Sequence, residues 1–252
     1  MTTYYPRWFS ATLSVLFGIV FFALLQGAVG WGLISPYVVP TPLEMLSALP
    51  VLFRDEALLL KFFLTLGTTF AATLLSIVIG VPFGWFLYRK PVFAKAYESW
   101  LGAAFAAPLI LLYPLFMVVF GRGIPTILAM GVVAGIVPIT LSTLQGLRGV
   151  PKVYLNVARM LRMTEFQIAT KVLFHAALPT IFTGVRLGLI YTMIYVVAVE
   201  FLVNIGGLGF LIGDLYSRYN IPGMYGAIIF VVLVSVVLFA GTERMEKWLK
   251  SL

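Results

Sequence analysis

Few residues in this chain have the chemistry for catalysis or ligand binding. Of nine carboxylates, only Glu200 lies clearly inside a long apolar stretch; there is one histidine, His175, and no cysteine. One histidine with no thiol leaves too few donors for a zinc-type site, and the absence of cysteine removes disulfide and thiolate chemistry. No Gly-x-x-x-x-Gly-Lys-Ser/Thr loop is present to cradle nucleotide phosphates. The remaining acids are scattered, so no interfacial cluster of the kind a membrane enzyme needs is formed. No catalytic residue, metal or cofactor is expected. Glu200 is different, because an acid in an apolar helix is costly enough to count as functional by default. It sits about four residues, on the order of 6 Å, from the end of its stretch near Asn204. Two roles are open: a structural hydrogen bond to a neighbour, through Tyr191, Tyr195 or the glycines that follow, or a place on a polar path or gate with Tyr195, Gly207 and Gly209. An ionised Glu200 on such a path would repel small anions.

The elements that hold these residues follow from composition. The chain has 252 residues, 62% hydrophobic and 10% charged, with a mean hydropathy of +1.06. A soluble domain carries about a quarter charged residues, so the natural solvent here is a bilayer. A hydrocarbon core of about 30 Å needs roughly 20 apolar helical residues. Six stretches meet that requirement: Trp8–Ile34, Phe62–Tyr88, Leu101–Gly121, Ile124–Leu147, about Thr180–Asn204 and about Met224–Thr242. Pro82, Pro108, Pro114, Pro125 and Pro138 predict bent helices. The expected fold is an all-α integral membrane protein of about six transmembrane helices, one domain over residues 1–252.

The net charge of +8 invites a nucleic-acid reading, but the positions of the charges oppose it. With both termini inside, 13 of the 17 basic residues fall in or beside cytoplasmic segments. Outside, Arg54, Lys61, Arg122 and Arg218 are balanced by Glu44, Asp55, Glu56 and Asp214. This is the positive-inside asymmetry, which anionic inner-leaflet lipid complements; no nucleic acid is required.

The segment Arg148–Pro179, between the fourth and fifth stretches, is long for a connection, and such loops are usually functional. Pro151 opens a first helix on which Lys152, Asn156, Arg159 and Arg162 form a polar stripe and Val153, Val157, Met160 and Leu161 the apolar face. A second helix starts at Thr164, with Glu165 in its first turn and Gln167 completing a capping box. Phe166, Ala169, Leu173 and Ala176 form its apolar face, Gln167, Lys171 and His175 a polar one. Pro179 marks the turn into the fifth stretch. On periodicity alone, the pair could equally be amphipathic helices lying in the headgroup layer.

The order of residues favours a different role. Asn156-Val157-Ala158-Arg159-Met160-Leu161-Arg162, Gln167, Ala176-Ala177-Leu178-Pro179, Thr183-Gly184, Arg186-Leu187-Gly188-Leu189 and Ala198-Val199-Glu200-Phe201 resemble the inner-membrane permease subunit of binding-protein-dependent ABC importers, in particular the group handling nitrate, taurine and sulfonates. Ser35-Pro36-Tyr37-Val38-Val39-Pro40-Thr41-Pro42 and Gly206-Gly207-Leu208-Gly209 are similar to that family's segments after its first and fifth spans. The family's cytoplasmic signature, Glu-Ala-Ala, three residues, Gly, nine residues, Ile-x-Leu-Pro, is degenerate here. Asn156 and Val157 replace the Glu and first Ala, Arg162 replaces the Gly, and Val172-Leu173-Phe174-His175 stands in place of Ile-x-Leu-Pro.

The resemblance implies a type I importer permease fold in the inner (plasma) membrane, with 148–179 as a cytoplasmic coupling hairpin. Asn156, Ala158, Arg159, Leu161, Arg162, Met163, Thr164, Phe166, Gln167 and Lys171 would meet the ATPase. It also implies two cytoplasmic ATP-binding subunits, a second permease copy as homodimer or heterodimer, an extracytoplasmic solute-binding protein, and Glu200, Tyr195, Gly207 and Gly209 as candidates for the translocation path or gate. The alternatives are the coupling subunit of a vitamin or metal importer without a soluble binding protein, and a stand-alone secondary transporter. The latter would usually show inverted repeats and broken midplane spans, and no such repeat is visible.

Overall fold

A computed structural model describes residues 7–250. The chain ends, and with them the expected cytoplasmic placing of the termini, lie outside the described residues, as do the side chains of Arg7 and Lys250. Every described element is helical. In chain order they are α1 (Arg7–Gly30), α2 (Pro42–Asp55), α3 (Leu58–Arg89), α4 (Pro91–Ala106), a 3₁₀ turn (Leu109–Leu112), α5 (Tyr113–Phe120), α6 (Ile124–Arg148), α7 (Lys152–Met160), α8 (Glu165–Gln167), a π-helical turn (Ile168–Leu173), α9 (Phe174–Val203), α10 (Leu208–Ser217) and α11 (Ile221–Lys250).

Four of the described helical runs are long and apolar enough to cross a membrane: Leu58–Arg89, Ile124–Arg148, Glu165–Ser217 and Ile221–Leu249. A fifth exists if α4 and the helical run after it count as one broken span. The expected count of six is therefore four to five among the described residues. The first expected span maps onto α1, whose apolar described part, Leu16–Gly30, is shorter than a crossing requires.

The expected third span, Leu101–Gly121, is not one straight helix. Its axis turns by 89° between Ala106 and Leu109. Pro108 has no amide to donate and forces the preceding residue out of the helical region, and Ala107 is indeed extended, with ψ 144°. Pro114 then sits in the first turn of α5, where its missing donor costs nothing.

The chain divides into two compact units, residues 1–59 with 211–230 and residues 60–210 with 231–252. In the first, Thr41 and Glu44 form a reciprocal capping box at the start of α2. The guanidinium of Arg218 bonds Glu56 at 2.9 Å and Asp214 at 2.7 Å, so charges expected to balance on one side are paired directly. The Glu56 hydrogen bond, foremost, holds Arg218 above its ordinary pKa.

The second unit is built on a seam of small residues. On α3, Thr65, Thr69, Thr73 and Ser76 are all buried, and Gly80 and Gly84 extend the row at helical spacing. An added Cβ at Gly84 would lie 2.7 Å from Thr143 Cβ, and at Gly135 it would lie 2.6 Å from both Ser76 Oγ and Thr192 Oγ1. Helices α6 and α9 pack against each other along most of their length, and a Cβ at Gly188 would meet the Ile139 side chain at 2.7 Å. Small residues let helix backbones approach closely where lipid gives no hydrophobic drive between helices. The hydroxyls of Thr73, Ser76 and Thr192 donate to backbone carbonyls, as with Ser76 to Ala72 at 2.8 Å and Thr192 to Gly131 at 3.1 Å, whereas the buried Thr69 hydroxyl makes no hydrogen bond.

Candidate functional site

At one end of this unit lies the 148–179 segment. Helix α7 closes on a left-handed residue, Arg162 at φ 52°. The Met163 N–H reaches Ala158 O at 3.1 Å and the Arg162 N–H reaches Arg159 O at 2.9 Å, which is a Schellman closure. Next, Thr164 and Gln167 form the expected capping box, so both side chains are spent inside the segment. Ala158 is 2% exposed and packs with Leu147, Val150, Ile168 and Leu173; its small size seats α7. Met163 packs partly against the same cluster.

Much of the expected apolar face of α7 points outward. Met160 is 83% and Leu161 70% exposed, and Phe166 just after the turn is 78% exposed. Asn156, Arg159, Arg162 and Lys171 are exposed as well. Tyr154, Val157, Ala158, Leu161, Met163 and Val172 line an apolar depression of about 280 Å³ on this surface.

The second expected helix does not end at Pro179. The chain passes from α8 through the π-helical turn directly into α9, with Pro179 inside the helix. The expected turn is absent because the Pro179 ring is accommodated within a run that continues from Glu165. His175 lies beside the π turn, its Nδ1 2.8 Å from Thr170 O, and no group of metal-binding side chains occurs among the described residues. Trp85 of α3 braces this junction, with its ring 5.2 Å from Phe174 and 5.8 Å from the Arg89 guanidinium. Arg89 also pairs with Glu165 at 3.5 Å.

Glu200 stands near the other end of α9, at 2% exposure. It accepts the Thr65 hydroxyl at 2.9 and 3.0 Å and the Gly209 N–H at 3.0 Å. The Thr65 oxygen in turn accepts the Leu208 N–H at 2.8 Å. The result is a latch tying α3, α9 and the glycine segment together. Of the partners expected for Glu200, the glycines supply the contact. Tyr195 packs instead beside Ile127, Met130 and Val196, and the Tyr191 ring lies tilted at 48° to Phe105, with centroids 4.8 Å apart. Gly207 and Gly209 are required by proximity: a Cβ on Gly207 would sit 1.9 Å from Thr65 Oγ1, and on Gly209 2.1 Å from Val197 O. Asn204 closes α9 in the left-handed conformation, φ 57°.

Sequence reasoning passed over two residue groups. Thr65 belongs to the helically spaced Thr65, Thr69, Thr73, Ser76 row, a pattern that marks a packing face. Glu246 lies four residues past the end expected for the last span, yet α11 continues and Glu246 is 5% exposed. It accepts the Thr183 hydroxyl at 2.8 Å and pairs with Arg186, whose guanidinium lies 4.7 Å from the Phe239 ring.

Residues 76–251 match the model of the family described as binding-protein-dependent transport system inner membrane component. The chain belongs to that family. Among curated relatives, it is 32% identical over 137 residues to the bicarbonate transport system permease protein CmpB of Synechococcus elongatus, covering 54% of this chain and 49% of that protein. It thus spans about half the length of that relative. It is 28% identical to the nitrate import permease protein NrtB of Synechocystis, over 79% of this chain and 70% of that one. It is 26% identical to the formylaminopyrimidine transport permease protein ThiX of Halalkalibacterium halodurans, over 84% of each. A chain of the MetNI methionine ABC transporter in an inward-facing form shares the fold, with a TM-score of 0.66 and 24% identity over 79% of this chain and 98% of that one.

Proposed function

We propose that this family member is the permease subunit of an ABC importer of the plasma membrane, with segment 148–179 docking on a cytoplasmic ATPase. The carrying observation is mechanical. The π turn at Ile168–Leu173 runs without a break into α9, and α9 spans 30 residues to the Glu200 latch. At 1.5 Å per residue that is a rod of about 45 Å, so displacement at the docking end reaches Glu200, and through its hydrogen bond Gly209, along one continuous helix. In this reading the docking end is cytoplasmic, both termini lie on that side, and the latch is near the outer face.

ATP hydrolysis belongs to a pair of partner chains. A second permease copy, identical or homologous, and an extracytoplasmic solute-binding protein complete the importer. The solute is small. Glu200 has its oxygens engaged by Thr65 and Gly209, so it presents no free carboxylate to a solute, and small anions of the kind named for the bicarbonate and nitrate relatives are admissible. Tyr195 lies deeper along α9, within an interhelical cluster.

The test is reconstitution. The Arg159→Glu/Arg162→Glu variant should insert and melt like the parent but lose solute-stimulated ATPase activity and uptake in proteoliposomes containing the co-purifying ATPase. Unchanged stimulation in that variant, or uptake by this chain alone, would defeat the reading.

A further inference from the structure

The turn that ends α7 carries a residue poorly suited to it. Arg162 occupies the left-handed position of a Schellman closure, where glycine is the residue without a steric penalty. Arginine carries a steric cost there, and among the described residues no side-chain hydrogen bond or ion pair of Arg162 offsets it. Arg162 is exposed, and among the described residues neither it nor Arg159 has a carboxylate within ion-pair distance; Glu165, three residues on, is paired with Arg89.

Arg162 also stands between Leu161 and Met163, two of the residues lining the apolar depression of about 280 Å³, and Arg159 follows Ala158, a third. A concavity of this kind can take a protruding apolar side chain from a protein surface. Cations beside an apolar socket are complemented by a knob with acids next to it.

We propose that Arg162 is a recognition residue that pairs with a carboxylate on the ATPase, beside an apolar side chain seated in the Tyr154–Val157–Leu161 depression. The proposal rests on the docking reading above and adds what the partner must look like: an ATPase with an acid at that point is accepted, and one without it is bound less well.

The decisive variant is Arg162→Gly, because glycine fits the turn better than arginine and its effect on binding cannot come from a broken cap. The full chain is placed in nanodiscs of phosphatidylcholine alone or with phosphatidylglycerol, and the ATPase that co-purifies with it is titrated from about 0.05 to 0.5 M NaCl. The expected result is an affinity about fivefold lower at low salt, a shallower salt dependence, partial recovery in Arg162→Lys and a further loss in Arg162→Glu, in both lipids. Arg162→Gly binding as the parent does at every salt concentration overturns the proposal. So does a loss seen only with phosphatidylglycerol, which would assign Arg162 to lipid headgroups. Val157→Asp separates the two levels: if it weakens binding while Arg162→Gly does not, docking stands and the carboxylate pairing falls. If Val157→Asp has no effect either, the docking reading fails with it.

Discussion

Replacing Glu200 tests whether the end of α9 is held by hydrogen bonds or by charge. In Glu200→Ala the Gly209 N–H loses its acceptor and the Thr65 hydroxyl loses two. A buried donor left unpaired costs about 1–3 kcal/mol, and the space vacated by a side chain that is 2% exposed adds a cavity penalty. The total is roughly 3–5 kcal/mol. Glu200→Gln keeps the shape. Its carbonyl oxygen can take the position that now receives both Thr65 and Gly209, and its amide can face the Thr65 oxygen that lies 3.0 Å from the other carboxylate oxygen, so its cost should stay below about 1 kcal/mol. Thermal unfolding in detergent reads the difference, and amide exchange at Gly209 localises it: fast exchange in Glu200→Ala, parental protection in Glu200→Gln. If the glutamine variant were as unstable as the alanine one, a negative charge would be essential and the hydrogen-bond account would be wrong. If both melted like the parent, the latch would hold nothing.

Other outcomes follow from the same packing. Gly207→Ala should be worse than an ordinary surface Gly→Ala, because its Cβ would lie 1.9 Å from Thr65 Oγ1 and 2.7 Å from Glu200 Oε1; a loss of about 1–3 kcal/mol is expected in thermal unfolding, and a variant that melts like the parent would show that the backbone approach at Gly207 is not required. Glu246→Ala should destabilise by roughly 3 kcal/mol because it leaves the half-buried Arg186 unpaired. The double replacement Arg186→Met/Glu246→Leu should recover most of that loss, and a double variant as unstable as the single one would show that the pair contributes more than mutual neutralisation.

What could be read from the residues, and what could not, divides along sequence separation. The capping box at Thr164 involves residues three apart, so it was legible. The bilayer solvent was legible from composition. The Glu200–Thr65 contact joins positions 135 residues apart, and Thr183–Glu246 joins positions 63 apart; no local rule pairs one threonine among many with one acid. Glu246 was misplaced for a further reason. A charged run after an apolar stretch reads as an aqueous tail, whereas Arg186 neutralises the acid and the helix goes on. Pro108 marked a bend, but its size, 89° between Ala106 and Leu109, was not legible, because an apolar window measures length and not direction.

The two buried acids explain each other's surroundings. Glu200 is met by neutral donors, a hydroxyl and a backbone N–H, and needs glycines at 207 and 209 so that the backbone can come close enough to donate. Glu246 is met by a cation and needs no close backbone approach, since the Arg186 side chain is long enough to cross to it. Close approach by backbone makes the first contact intolerant of any added methyl group, while the second tolerates sliding as long as the guanidinium can follow. Both contacts are made to α9, one near its C-terminal end and one towards its middle, so a movement of that rod should shear the arginine pair gradually and release the glycine latch abruptly. That difference makes the Glu200 end the better candidate for a two-state gate.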